Sequence, residues 1–189
     1  MKFHLYYEGL LKASQNTARS GQPVRHADLK HKIRQCFHRQ MKEHWASEPM
    51  LKDAKAYLGE NSFIDQLDGQ HRGHLPMVDA IASKHKKFGY EFVPLVRKVW
   101  NLTCALEVLI LTRDNSSRGS PKAVLYGGDI DNRVKTLIDG LSMPEQENQL
   151  TGNEIPKDDE KPFFCLLESD DSVTELTVNA DRLLSLIHI

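Results

Sequence analysis

The sequence predicts an α+β domain, and three observations predict it. Strand-like alternations and helical periodicities are mixed along the chain without a regular βαβ rhythm. One long basic amphipathic segment lies in the first quarter, and short apolar runs with strand character lie in the second half. The 189 residues are 40% hydrophobic and 27% charged, which suits one domain, over 1–183, with a core of ordinary size.

The elements follow in order. "KFHLYYEG" alternates as a strand and ends at Gly9, and "SQNTARSGQP" is turn-rich. From about His26 to Ala46 the chain reads as a helix, with Leu29, Ile33, Phe37 and Met41 recurring every fourth residue. "MLKDAKAYL" reads as a second short helix and "ENSFIDQLDGQHRGHL" as loop. "PMVDAIASKHKKFG" reads as a helix closed by Gly89. "YEFVPLV" and "TCALEVLILT" read as strands, the second apolar enough to be central. "RDNSSRGSPKAVLYGG" is a polar connection to a helix that begins near residue 129. Residues 142–162 are polar, acidic and aperiodic, and read as a flexible insertion. "FFCLLESDD" is a short apolar run ending in acids, and "SVTELTV" is the last strand. The final "LSLIHI", residues 184–189, looks like the translated end of a sequencing-library adaptor and is set aside.

Bulk chemistry narrows the function classes. Cys36, Cys104 and Cys165 are odd in number and form no CxxC pair, which argues against a disulfide scaffold or zinc ribbon and for a reducing, cytoplasmic setting. No run approaches the ~18 apolar residues of a membrane helix, so no membrane partner is expected. Net charge is −1, but it is unevenly spread. Residues 1–50 hold nine Lys/Arg against four acids, and residues 140–175 hold ten acids against two lysines. A basic front suits a polyanion, and two ordinary solvated surfaces would also explain it. On the basic helix, Arg25, Lys30, Lys32, Arg34, Arg39 and Lys42 are candidates to track DNA phosphates. His71 and His74 lack a third ligand nearby and read as surface loop. Trp45 and Trp100 could stack on unpaired bases, but core packing is the better reading of both.

The stretch that carries chemistry is "GGDIDNRVKTLIDGL", residues 127–141. Asp129 or Asp131 can cap the first turn of a helix, where negative charge is favoured. Lys135 then pairs with Asp131 and Asp139 at spacing i, i+4. A second reading starts from repulsion. Two adjacent carboxylates favour a shared cation, and Mg2+ takes hard oxygen ligands. A later acidic pair, Asp170 and Asp171, is available to join them, and a lysine one turn into the helix can reach a phosphate oxygen. Carboxylates, metal and lysine are the parts that phosphodiester hydrolysis needs.

"DIDNRVKTLIDGL" resembles the signature of the RusA-type Holliday-junction resolvases, small endodeoxyribonucleases of prophages and bacteria. That signature is D-[LIV]-D-N, then Lys after two further residues, then an apolar helix ending D-A-L, with D-D downstream before a strand. Asp129, Asp131, Asn132 and Lys135 fall at this spacing, Asp139-Gly140-Leu141 stands where D-A-L is usual, and Asp170-Asp171 matches the downstream pair. The resemblance implies a single α+β domain with a small mixed β-sheet packed against helices. It implies a Mg2+-dependent homodimer that resolves four-way DNA junctions in recombination and repair by symmetric nicks. Asp129, Asp131 and Asp171 would be the metal-binding and catalytic carboxylates, Lys135 the catalytic lysine, and Asn132 and Asp170 supporting residues. The chain departs from the family in its longer connection between motif helix and Asp170 and its larger N-terminal half. A same-fold nuclease acting on flaps or forks, and a non-catalytic DNA-binding module, are the alternatives.

Overall fold

The computed structural model describes residues 1–9, 11, 24–57, 74–112, 130–150 and 155–182. The basic segment forms one long helix, α1 (Val24–Ser47), slightly longer than its periodicity predicts. Ile33, Phe37, Met41 and Trp45 are all buried along one side of it, so the four-residue stripe extends one step beyond Met41. Residues 1–9 form no regular element and pair with no strand among the described residues. Their partner is a side chain of α1. The Tyr6 N–H donates to Gln40 Oε1 (2.8 Å) and Gln40 Nε2 donates to the Tyr6 carbonyl (2.7 Å). Phe3, Leu5 and Tyr7 lean on the core, so the predicted alternation is real although the predicted sheet is not.

After α1 comes a single turn, α2 (Pro49–Lys52), followed by β1 (Lys55–Tyr57) where the sequence suggested continued helix. β1 pairs antiparallel with β2 (His74–Pro76). Next is α3 (Met77–Lys84), which ends at His85, well before Gly89. Gly89 instead makes the hairpin between β3 (Lys86–Lys87) and β4 (Tyr90–Val96). Phe88 and Gly89 have φ of 52° and 82°, the two positive values that a two-residue turn matched to strand twist requires.

β4 pairs in parallel with β6 (Phe163–Leu167), and β5 (Cys104–Thr112) pairs in parallel with β7 (Val173–Arg182). Between β5 and β6 lies α4 (Ile130–Leu141). The architecture is therefore α+β, with a small mixed sheet, β3–β4–β6, packed against helices. β5 is not central. Among the described residues it has β7 as its one strand neighbour, and Leu109 and Leu111 are exposed.

All five residues of β6 are buried. A strand with no polar alternation must be covered on both faces. Phe164 and Leu166 face the α1 core, with Ile33, Phe37, Met41 and Trp45. Phe163 and Cys165 face a second cluster that holds Tyr90, Phe92, Met143 and Leu150. The segment after α4 supplies Met143 and Leu150 to that cluster. Its described residues pack as the second layer, and Glu160 is buried with Oε1 accepting from Gln35 Nε2 at 2.8 Å. No helix among the described residues is long and apolar enough to cross a membrane.

Candidate functional site

α4 is held by its C-terminal half. Gly140 lies against Ile33 of α1, so closely that a Cβ there would collide with the Ile33 side chain. Arg34 is almost wholly buried; its Nε donates to the Ser142 carbonyl (3.1 Å) and its Nη2 to the Asp139 carbonyl (2.8 Å). A cation is thereby placed at a helix C-terminus, where carbonyls lack intrahelical donors. Lys30 completes the joint by pairing with Asp139 at 2.6 Å.

The N-terminal turn of α4 presents the candidate chemistry. Asp129 lies outside the described residues. Asp131 and Lys135 are exposed, while Asn132, Arg133, Val134 and Thr136 between and beside them are buried. At spacing i, i+4 the two exposed groups share one face. Among the described residues no ion pair joins Lys135 to Asp131 or to Asp139, since Asp139 is taken by Lys30. The expected intrahelical pairs are thus not formed. A carboxylate and an ammonium stand one turn apart with neither consumed by the fold.

Asp170 and Asp171 lie in a short 3-10 turn (Asp170–Ser172) before β7. Their position follows from the ladder. Val96 is in register with Leu167, and Cys104 with Val173, so both strands are interrupted at the same level. The break is closed by charge. Lys98 Nζ lies 2.7 Å from Asp171 Oδ2, and the Lys98 N–H donates to Glu168 Oε2 at 2.8 Å. The Glu168 N–H donates to the Val96 carbonyl at 3.0 Å, and His85 Nε2 is 3.8 Å from Glu168 Oε1. The Lys98 ammonium holds the Asp171 carboxyl below the usual carboxylate range. Ser169 Oγ accepts the Asp171 N–H and donates to Asp170 Oδ1, both at 3.5 Å. Lys98 and Glu168 were not singled out in the sequence. Their only signal is position, Glu168 directly after β6 and Lys98 two residues after the end of β4.

The basic face of α1 is smaller than its sequence suggests. Arg34 is corrected from a phosphate contact to the buried cap of α4. Lys30 is half-buried in its pair with Asp139, and Lys32 pairs with Asp28 at 2.8 Å. Lys42 donates to the Asp159 carbonyl at 2.9 Å. Arg39 is exposed, and the Arg25 side chain lies outside the described residues. Trp45 is core as expected, but Trp100 is about half exposed, which corrects its reading. All three cysteines are free thiols.

Among the described residues no group of three or more His, Cys, Asp or Glu side chains converges as a metal cage. The carboxylates themselves are oxygen donors of the type Mg2+ prefers. Among the described residues Asp131 has no ion-pair partner, and Asp171 would have to exchange its lysine partner for an ion. Set beside known proteins, the chain matches no protein-family model, no curated protein and no solved structure.

Proposed function

We propose that this chain is a Mg2+-dependent, structure-specific DNA endonuclease of the RusA type, acting as a homodimer on four-way junctions. One observation carries the reading. Asp131 and Lys135 occupy the solvent face of the first turn of α4, unpaired, while Asp139 on the same helix is tied into the joint with α1. Intrahelical pairing, one structural use that this spacing offers, is not made among the described residues.

In this reading Asp129, Asp131 and Asp171 would hold the ion, with Asn132 and Asp170 in support. Bound Mg2+ would supply an activated water and neutralise charge on the scissile phosphate. Lys135 places a fixed positive charge for the developing oxyanion. Exposed cations such as Arg39 would meet phosphates. A dimer matches the two-fold symmetry of a junction and its two cuts.

The test is cleavage of a labelled synthetic four-way junction, with and without Mg2+, by the wild type and by Asp131→Asn. Paired, metal-dependent nicks are expected from the wild type alone, with DNA binding by the variant retained. Failure to cut junctions, flaps or forks at any Mg2+ concentration would overturn the enzyme and leave a DNA-binding module in which the acids cap a helix.

A further inference from the structure

The break beside Asp171 contains one feature that neither the fold nor the metal chemistry uses. Arg97 is 5% exposed, and its guanidinium carbon sits 3.6 Å from the centre of the Trp100 ring. Its Nε has no hydrogen-bond partner, and among the described residues no ion pair holds the guanidinium. Burying an arginine this way costs stability unless something is gained. What it holds is an aromatic ring that is 48% exposed. Arg97 covers one face of that ring, so the exposure belongs to the other face and the edges.

The turn beneath the ring is firmly built. The Arg97 carbonyl accepts both the Trp100 N–H (3.3 Å) and the Leu102 N–H (3.2 Å). The Asn101 N–H donates to the Lys98 carbonyl at 2.9 Å, and Asn101 takes the left-handed φ of 49° that closes the turn. Backbone and guanidinium together fix the indole and leave it open outward. Lys98, two residues before Trp100, is the residue that contacts Asp171.

From this geometry we propose that Trp100, backed by Arg97, is a stacking platform for an unpaired DNA base next to the candidate acidic site. This inference takes its ligand class from the endonuclease reading. Charge does not select the ligand here, because Arg97 and Lys98 are balanced by Glu168 and Asp171. The open π-face does select it, and base stacking on an aromatic is tolerant of sequence. A flap or fork carries such unpaired bases, and a four-way junction would have to be opened at its crossover to present one. The platform's contribution is therefore insensitive to salt, unlike phosphate contacts.

The probes are a labelled single-stranded oligothymidylate and an abasic strand of the same length, titrated without Mg2+. Anisotropy and tryptophan emission are the readouts. Wild type is expected to bind the thymidylate roughly tenfold or more tightly than the abasic strand, with quenched emission. Trp100→Ala loses that margin and the quenching while keeping its circular dichroism, and Trp100→Phe keeps part of the margin. Trp45→Phe, altered only in the core, retains the quenching. Equal affinity of wild type for both strands, an unchanged margin in Trp100→Ala, or no DNA binding at all overturns the platform. Junction cleavage run in parallel separates the two claims. A Trp100-dependent margin without cleavage by wild type removes the enzyme and keeps the platform, and cleavage with a normal margin in Trp100→Ala does the reverse.

Discussion

Gly140→Ala is the sharpest test of how α4 is positioned. By helix propensity alone the change should stabilise, because alanine is favoured over glycine by about 1 kcal/mol inside a helix. The structure reverses the sign. A Cβ at 140 would sit far inside van der Waals contact of Ile33 Cγ2 and 3.0 Å from Ile33 Cβ. Ile33 is fully buried. Its β-branch is stiff, and its Cβ is fixed to the α1 backbone, so neither atom can swing aside. The helices must part, which stretches the Arg34 bonds to the carbonyls of Asp139 and Ser142. Overpacking of a tight core contact costs about 1–3 kcal/mol, and the upper half of that range applies where nothing yields. The net is a loss of about 1–2 kcal/mol, or roughly 2–8 °C in Tm for a chain of this size. Thermal unfolding followed by circular dichroism reads it directly. Ile33→Leu moves the branch one carbon out, so Gly140→Ala should cost less in that background, and a double-mutant cycle should show the coupling. A Tm that rises or stays level in Gly140→Ala would mean that the two helices are not in the contact described.

Three further outcomes are expected. His38 Nδ1 accepts the Phe164 N–H at 2.8 Å and its Nε2 lies 3.0 Å from the Asp159 carbonyl, an arrangement only the neutral Nε2–H tautomer satisfies. Burial holds its pKa below the ordinary 6.5, so protonation favours the unfolded chain. The contribution of His38 is whole above about pH 6.5 and is lost as pH falls through the depressed folded value. Tm should drop over that window more steeply in wild type than in His38→Gln, and parallel curves would refute the assignment. Arg34→Met should cost about 2–4 kcal/mol by stranding buried helix-end carbonyls, against no more than about 0.5 for exposed Arg39→Ala; similar Tm values for the two would contradict the cap. Lys98→Ala should raise the Asp171 carboxyl pKa toward its ordinary value in an NMR titration while leaving Tm nearly unchanged, because the pair is exposed.

The fold was legible where one residue type repeats against one surface. The α1 stripe every fourth residue reads as a helix face, whereas "FFCLL" reads only as an apolar run, because a buried strand and a buried helix look alike over five residues. Legibility failed where a segment's partner is distant in sequence. Residues 142–150 look aperiodic because they contribute two buried side chains, Met143 and Leu150, to a face built by β4 and β6. No window of the sequence contains that face. Gly89 signalled a chain reversal correctly, but the reversal belongs to a hairpin and not to a helix end, since Lys86 and Lys87 already pair with Glu91 and Tyr90. Arg34 shows the same limit for charge. Nothing local separates it from Arg39, five residues on, yet one caps a helix in the core and the other faces water.

The candidate site divides along the same line. Asp131 and Lys135 could be placed from sequence because helical spacing alone puts them on one face. The apolar positions of α4 then fix which face turns outward. The setting of Asp171 could not be read, because it depends on two strand breaks falling at the same level of a parallel ladder. Register decides that, and register here is carried by pairs about seventy residues apart, such as Val96 with Leu167 and Cys104 with Val173. The break matters for function on physical grounds. A regular strand saturates its backbone groups and alternates its side chains, so it cannot turn two successive carboxylates to one side. A 3-10 turn can, and the facing turn at 98–100 supplies the lysine that lies against Asp171. An acidic pair in mid-strand would have been a liability, and this break leaves both carboxylates exposed.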